Sequence, residues 1–112
     1  MRLIIAGGRD YKFTQEDINW LDSIAAENEI EFVISGGASG ADECGESWAR
    51  SRDIPMTIVN ADWKTYGKAA GPLRNERMAL GADAVALFPG GRGTADMKRR
   101  AIKHGLKVFE RQ

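Results

Sequence analysis

The stretch 83-DAVALFPGGRGTADMKRRAIKH-104 decides the fold. After Asp83 comes an unbroken apolar run to Phe88, without the alternation of a half-exposed strand. Such a run suits a strand buried on both faces of a parallel sheet. From Thr94 onward, Met97, Ala101 and His104 recur at i, i+4 and i+7, the spacing of one helix face. Between the two lie Pro89, Gly90, Gly91 and Gly93. A strand therefore passes into a helix through a loop with few side chains, which is half of a β-α-β unit.

The same pattern recurs to either side. Apolar runs stand at 3-LIIA-6, 32-FVIS-35, 54-IPMTIV-59 and 106-LKVF-109. Helical patterns separate them. Residues 14–28 open with a capping box, Thr14 and Asp17, and turn Ile18, Leu21, Ile24 and Ala25 inward. Residues 41–52 place Ala41, Cys44 and Trp48 on one stripe. Residues 72–81 carry Pro72 at the expected first helical position, with Leu73, Met78 and Ala79 inward. The order β-α-β-α-β-α-β-α-β predicts one α/β domain over residues 1–112, with a five-stranded, mostly parallel sheet between two helical layers. The stretch 60-NADWKTYGKAAG-71 reads as a long loop.

Composition narrows the function. Acids and bases balance at zero net charge, which argues against a dedicated duplex-DNA binder. The balance is uneven: residues 10–53 hold eleven acids and three bases, residues 62–112 five acids and eleven bases. The basic half suits a small anion, or a surface that meets an unlike one in a homo-oligomer; solvated helix faces are the bland alternative. Trp20 and Trp48 on helices suggest apolar surface to cover by self-association. The lone Cys44 is expected to be buried, and it is compatible with a reducing cytoplasm. The apolar start at Leu3–Ala6 is too short to cross a membrane. There is no Cys/His cluster of the kind that binds zinc, and His104 reads as a helix C-terminal residue.

Ligands of open α/β sheets bind beyond the carboxyl ends of the strands. Each polar or glycine-rich cluster falls at such an end. These are Gly7, Gly8, Arg9 and Asp10 after the first strand, and Ser35, Gly36, Gly37, Ala38, Ser39, Gly40 and Asp42 after the second. Trp63, Tyr66, Lys68, Gly71, Arg74 and Asn75 follow the third; Pro89, Gly90, Gly91, Arg92, Gly93 and Thr94 follow the fourth. Glycines let backbone amides reach a ligand, and a following helix N-terminus favours an anion. The loops 36–40 and 90–94 are the expected phosphate cradles, or else tight turns with helix caps. Arg74 and Arg9 would neutralise a phosphate. Asp10 or Asp42 would accept from hydroxyls, and Trp63 or Tyr66 would stack on a base. Asp42 and Asp96 also suit the first turn of a helix through its dipole alone. Neither a P-loop nor a GxGxxG dinucleotide fingerprint is present.

The motifs 4-IIAGGRD-10, 34-ISGGASGAD-42, 62-DWKTYGKAAGPLRNERM-78 and 88-FPGGRGTADM-97, in that order, resemble the YspA/YpsA-related group of the SLOG superfamily. The resemblance implies a Rossmann-like sheet and a nucleotide or nucleotide-derived ligand held by these loops. It also brings in two relatives, the LOG phosphoribohydrolases and the DNA-processing protein DprA. The first suggests an N-glycosidic or phosphoester hydrolase, the second a single-stranded nucleic-acid binder. The LOG motif PGGxGTxxE ends on a catalytic glutamate, whose position here is Met97. Asp96 is one residue away, about 100° around a helix. Arg74 would match the family's arginine, with Asp42 or Asp10 as a substitute acid.

Overall fold

The computed structural model describes residues 1–112. Five strands form one sheet: β1 (Arg2–Ala6), β2 (Phe32–Ser35), β3 (Met56–Ile58), β4 (Ala84–Leu87) and β5 (Lys107–Glu110). The order is β3-β2-β1-β4-β5 and every pairing is parallel. The chain builds outward from β1 on one side, then returns to build β4 and β5 on the other. This Rossmann-like order reverses between β1 and β4, where open α/β sheets leave a crevice for a ligand.

Alternation along the strands explains the two cores. Leu3 and Ile5 of β1, with Ala84 and Ala86 of β4, point to the layer of α1 (Gln15–Glu27) and α2 (Ala41–Ser51). Ile4 and Ala6, with Val85 and Leu87, point to the other layer. That layer holds α4 (Ala70–Leu80) and α5 (Arg92–Lys103). Both faces of the central strands are covered, so their apolar runs are unbroken. Thr14 and Asp17 form the expected capping box at the start of α1. Asp17 is fully buried and also accepts from Tyr11 Oη (2.8 Å) and Arg111 Nε (2.7 Å), tying the chain's last residues to the loop after β1.

Several expectations change. The stretch 60–71 is mostly helical: α3 (Trp63–Tyr66), a 3-10 turn (Gly67–Ala69), then the start of α4. Pro72 is the third residue of α4, where a missing N–H is still harmless. Leu73 points outward at 44% exposure, whereas Met78 and Ala79 are buried as expected. Trp48 is buried and Trp20 packs edge-on against Phe88 at 5.2 Å, so neither leaves a bare helix face. Cys44 is half-buried rather than buried. His104 caps α5 and bonds Glu76 (2.8 Å). No helix is long and apolar enough to cross a membrane.

Candidate functional site

The loops after β1 and β4 meet at the sheet's reversal point. The Gly8 amide donates to the Pro89 carbonyl (2.9 Å), and the Ala41 amide donates to the Gly8 carbonyl (3.0 Å). The contact is tight: a Cβ on Gly7 would lie 2.7 Å from Ala41 Cβ and 2.8 Å from Phe88 Cβ. A Cβ on Gly40 would strike the Arg9 carbonyl, and one on Gly90 would strike Thr94. These glycines are required by packing between loops. Gly91 and Gly93 are different, since a Cβ on either would meet nothing within 4 Å.

The open space at Gly91 and Gly93 is a cavity of about 560 Å³. Ala6, Met78 and Met97 supply its apolar floor, and five cations border it: Arg9, Lys68, Arg74, Arg92 and Arg99. The N-terminus of α5 opens into it. Its N-cap is Gly91; no side chain caps it and no acid lies in its first turn. The first backbone bond closing the helix is from Ala95 to Gly91 (3.0 Å). The amides of Arg92, Gly93 and Thr94 therefore carry the positive end of the helix dipole into a basic cavity.

The loop 36–40 resembles 90–94 in sequence but is closed off. Three of its amides are occupied internally: Gly37 donates to Ser35 Oγ (3.2 Å), Ala38 to Asp42 Oδ2 (3.2 Å) and Gly40 to Glu43 Oε1 (3.3 Å). The acids of α2 occupy the place an anion would take. What this loop offers instead is a carboxylate and a guanidinium. Arg74 Nη1 donates to the Gly36 carbonyl (2.6 Å). A Cβ on Gly36 would lie 2.6 Å from Arg74 Nη1 and 2.9 Å from Asp42 Oδ2, so both groups crowd this glycine. Burial pushes the Asp42 carboxyl up to about 6, although the Ala38 amide and the Arg74 charge favour its ionised form. Burial, and then the neighbouring Arg9, lower the pKa of Arg74, while Asp42 opposes them.

Asn75 and Asp96 join α4 to α5. Asn75 Nδ2 donates to the Gly93 carbonyl (3.2 Å) and to Asp96 Oδ2 (3.0 Å). Asp96 also accepts from Arg99 (3.1 Å) and Arg100 (2.9 Å). Burial favours its protonated form, but the bonds from Arg100 and Asn75 outweigh it and hold the carboxyl below its ordinary value. Because α5 begins at Arg92, Asp96 falls in the second turn and serves this junction, not the helix dipole.

The cavity thus gathers Gly7, Gly8, Arg9, Ala38, Asp42, Trp63, Lys68, Gly71, Arg74, Asn75, Gly91, Arg92, Gly93 and Thr94. Gly36, Gly37 and Ser39 border an adjoining cavity with Asn60 and Ala61. Asp10, Ser35, Gly40, Tyr66, Pro89 and Gly90 border neither. Asp10 is exposed, Tyr66 is 55% exposed, and Ser35 Oγ donates to Glu46 (2.6 Å). Trp63 comes in because Gly71 lies under its ring edge, where a Cβ would be 3.2 Å from it, while Arg9 stands 5.6 Å from the ring centre. The sequence reading did not single out Arg99 and Asn60. Asn60 does stand just past the end of β3, so the rim rule itself was a signal for it.

The model of the YspA, cpYpsA-related SLOG family matches residues 1–66. The chain is also similar to the Gene 61 protein of Mycobacterium phage D29, 38% identical over 120 residues, covering 96% of this chain and 94% of that protein.

Proposed function

We propose a ligand-binding function for this chain, which belongs to the YspA, cpYpsA-related SLOG family. Its cavity takes a nucleotide or nucleotide-derived small molecule, with the phosphate seated on the amides of Arg92, Gly93 and Thr94. One observation carries the reading: Gly91 and Gly93 face open space at the start of an uncapped twelve-residue helix, in a cavity bordered by five cations. An anion there gains free amides, the helix dipole and charge-assisted bonds together. Asp42 lies behind Gly36 beside Arg74, where it would accept from ribose hydroxyls. The volume, about 560 Å³, is within the usual range for small-molecule sites. We place the protein in the cytoplasm as a homo-oligomer. The exposed side chains of Ile58, Leu73, Leu80 and Ile102 would be covered by a second copy.

The test is mass spectrometry of molecules released on denaturing the gently purified protein, followed by thermal shifts with mono-, di- and cyclic nucleotides. A released nucleotide, or stabilisation by one class, is the expected result. No released molecule and no shift across the panel would sink the reading.

Asp42 supports a second reading, hydrolysis of a nucleotide's N-glycosidic bond. A buried carboxyl with a pKa near 6 in a cleft, beside an arginine, has the character of an acid–base group. In that reaction water adds at the ribose carbon, the bond to the base breaks, and the base leaves with a proton. Free base and ribose phosphate appearing with wild-type protein, but not with Asp42→Asn, would establish it.

A further inference from the structure

Resting on the nucleotide reading above, we propose that the adjoining cavity receives the base and that Asn60 reads its edge. The two cavities share Arg9, Ala38, Trp63 and Arg74, so one ligand can extend across both. The second has a volume of about 420 Å³ and no acid on its walls. It offers an anion little. The Gly37 and Ala38 amides are already bonded to Ser35 and Asp42, and both its arginines are shared with the first cavity. It suits a neutral planar group better. Trp63 is 48% exposed at its border, with the Arg9 guanidinium 5.6 Å from the ring centre. Indole and guanidinium planes are both good stacking partners for a base.

Asn60 supplies the polar contact. Asn60 is exposed at the cavity border, and its carboxamide makes no hydrogen bond within the chain, so it is open to a ligand. Its Oδ1 lies 2.7 Å from where a Cβ of Gly37 would stand, and Gly37 has a φ of +72°, a conformation other residues rarely adopt. The glycine therefore leaves room for the amide. A free carboxamide offers one acceptor beside one donor, which matches the adjacent donor and acceptor on the pairing edge of a base. The inferred ligand is a nucleoside 5′-monophosphate, lying with its phosphate at α5 and its base beside β3.

The experiment is titration calorimetry with AMP, GMP and ribose 5-phosphate on wild type, Asn60→Ala and Asn60→Asp. Wild type should bind AMP at least about tenfold tighter than ribose 5-phosphate, since stacking and one or two hydrogen bonds are gained. Asn60→Ala should weaken AMP about tenfold and leave ribose 5-phosphate unchanged. Asn60→Asp, which only accepts, should move the AMP to GMP ratio toward GMP. If ribose 5-phosphate binds as tightly as AMP, or the AMP to GMP ratio is the same in Asn60→Asp, the base assignment is wrong and the phosphate site stands. If no phosphate compound binds, both readings fall.

Discussion

Replacing Asp42 by Asn should stabilise the protein at neutral pH and leave it unchanged in acid. The Asp42 carboxyl is 6% exposed, and burial raises its pKa from 3.8 to about 6. Below pH 3.8 it is protonated whether the chain is folded or not, and it contributes no pH dependence. Between 3.8 and about 6 the unfolded chain loses this proton while the folded chain keeps it, so stability falls as pH rises. Above about 6 the whole penalty is present. A shift of roughly two pKa units corresponds to about 3 kcal/mol. Asn retains an acceptor for the Ala38 amide and cannot ionise. The variant's advantage over wild type should therefore grow from near zero at pH 3 to about 3 kcal/mol at pH 7. Urea unfolding followed by tryptophan fluorescence at each pH measures it. A difference that does not vary with pH, or a variant less stable than wild type at pH 7, would refute the reasoning. The expected result means that the fold retains a destabilising carboxylate beside Arg74, as functional sites do.

Other positions separate packing from binding. Gly7→Ala should cost about 1–3 kcal/mol in urea unfolding, because its Cβ would press on Ala41 and Phe88. Gly93→Ala should leave stability unchanged or raise it by up to about 1 kcal/mol, since its Cβ meets open space in a helix, yet AMP affinity by calorimetry should fall. Arg111→Ala should cost about 3 kcal/mol at pH 7 by leaving the fully buried Asp17 without its cation. Bonds from Thr14, Arg111 and Tyr11 outweigh burial and hold the Asp17 pKa below 3.8, so this loss should shrink as the urea series descends below that pH. Asn75→Ala should cost about 1–3 kcal/mol and also weaken AMP binding, because the Gly93 carbonyl and Asp96 lose the amide that holds the start of α5.

Much of the architecture is legible in the sequence because the central strands are covered on both faces. The runs at Leu3–Ala6 and Ala84–Phe88 are apolar throughout, and they mark β1 and β4 directly. The short edge strand β3 is harder to place, since Thr57 and Ile58 are exposed and carry no burial pattern. The helix α3 was hidden by its length of four residues, too short for a period to appear. Pro72 misled the start of α4 because any position in a first turn tolerates proline. The two glycine loops read alike, and what distinguishes them is acid placement. Asp42 and Glu43 stand in the first turn of α2 and accept from the Ala38 and Gly40 amides of the loop before it, whereas Asp96 stands in the second turn of α5 and leaves its start open. Arg99 reaches the cavity through the place of α5 in the fold, which depends on how the chain crosses the sheet and not on any local pattern.

The central claim is that a phosphate group sits at the start of α5. Titration calorimetry of the wild-type protein with AMP and with adenosine tests it most directly. The phosphate should bring several charge-assisted bonds, so AMP should bind more than about tenfold tighter than adenosine. Equal affinity for the two, or no binding of any of the four common nucleoside monophosphates, would contradict it.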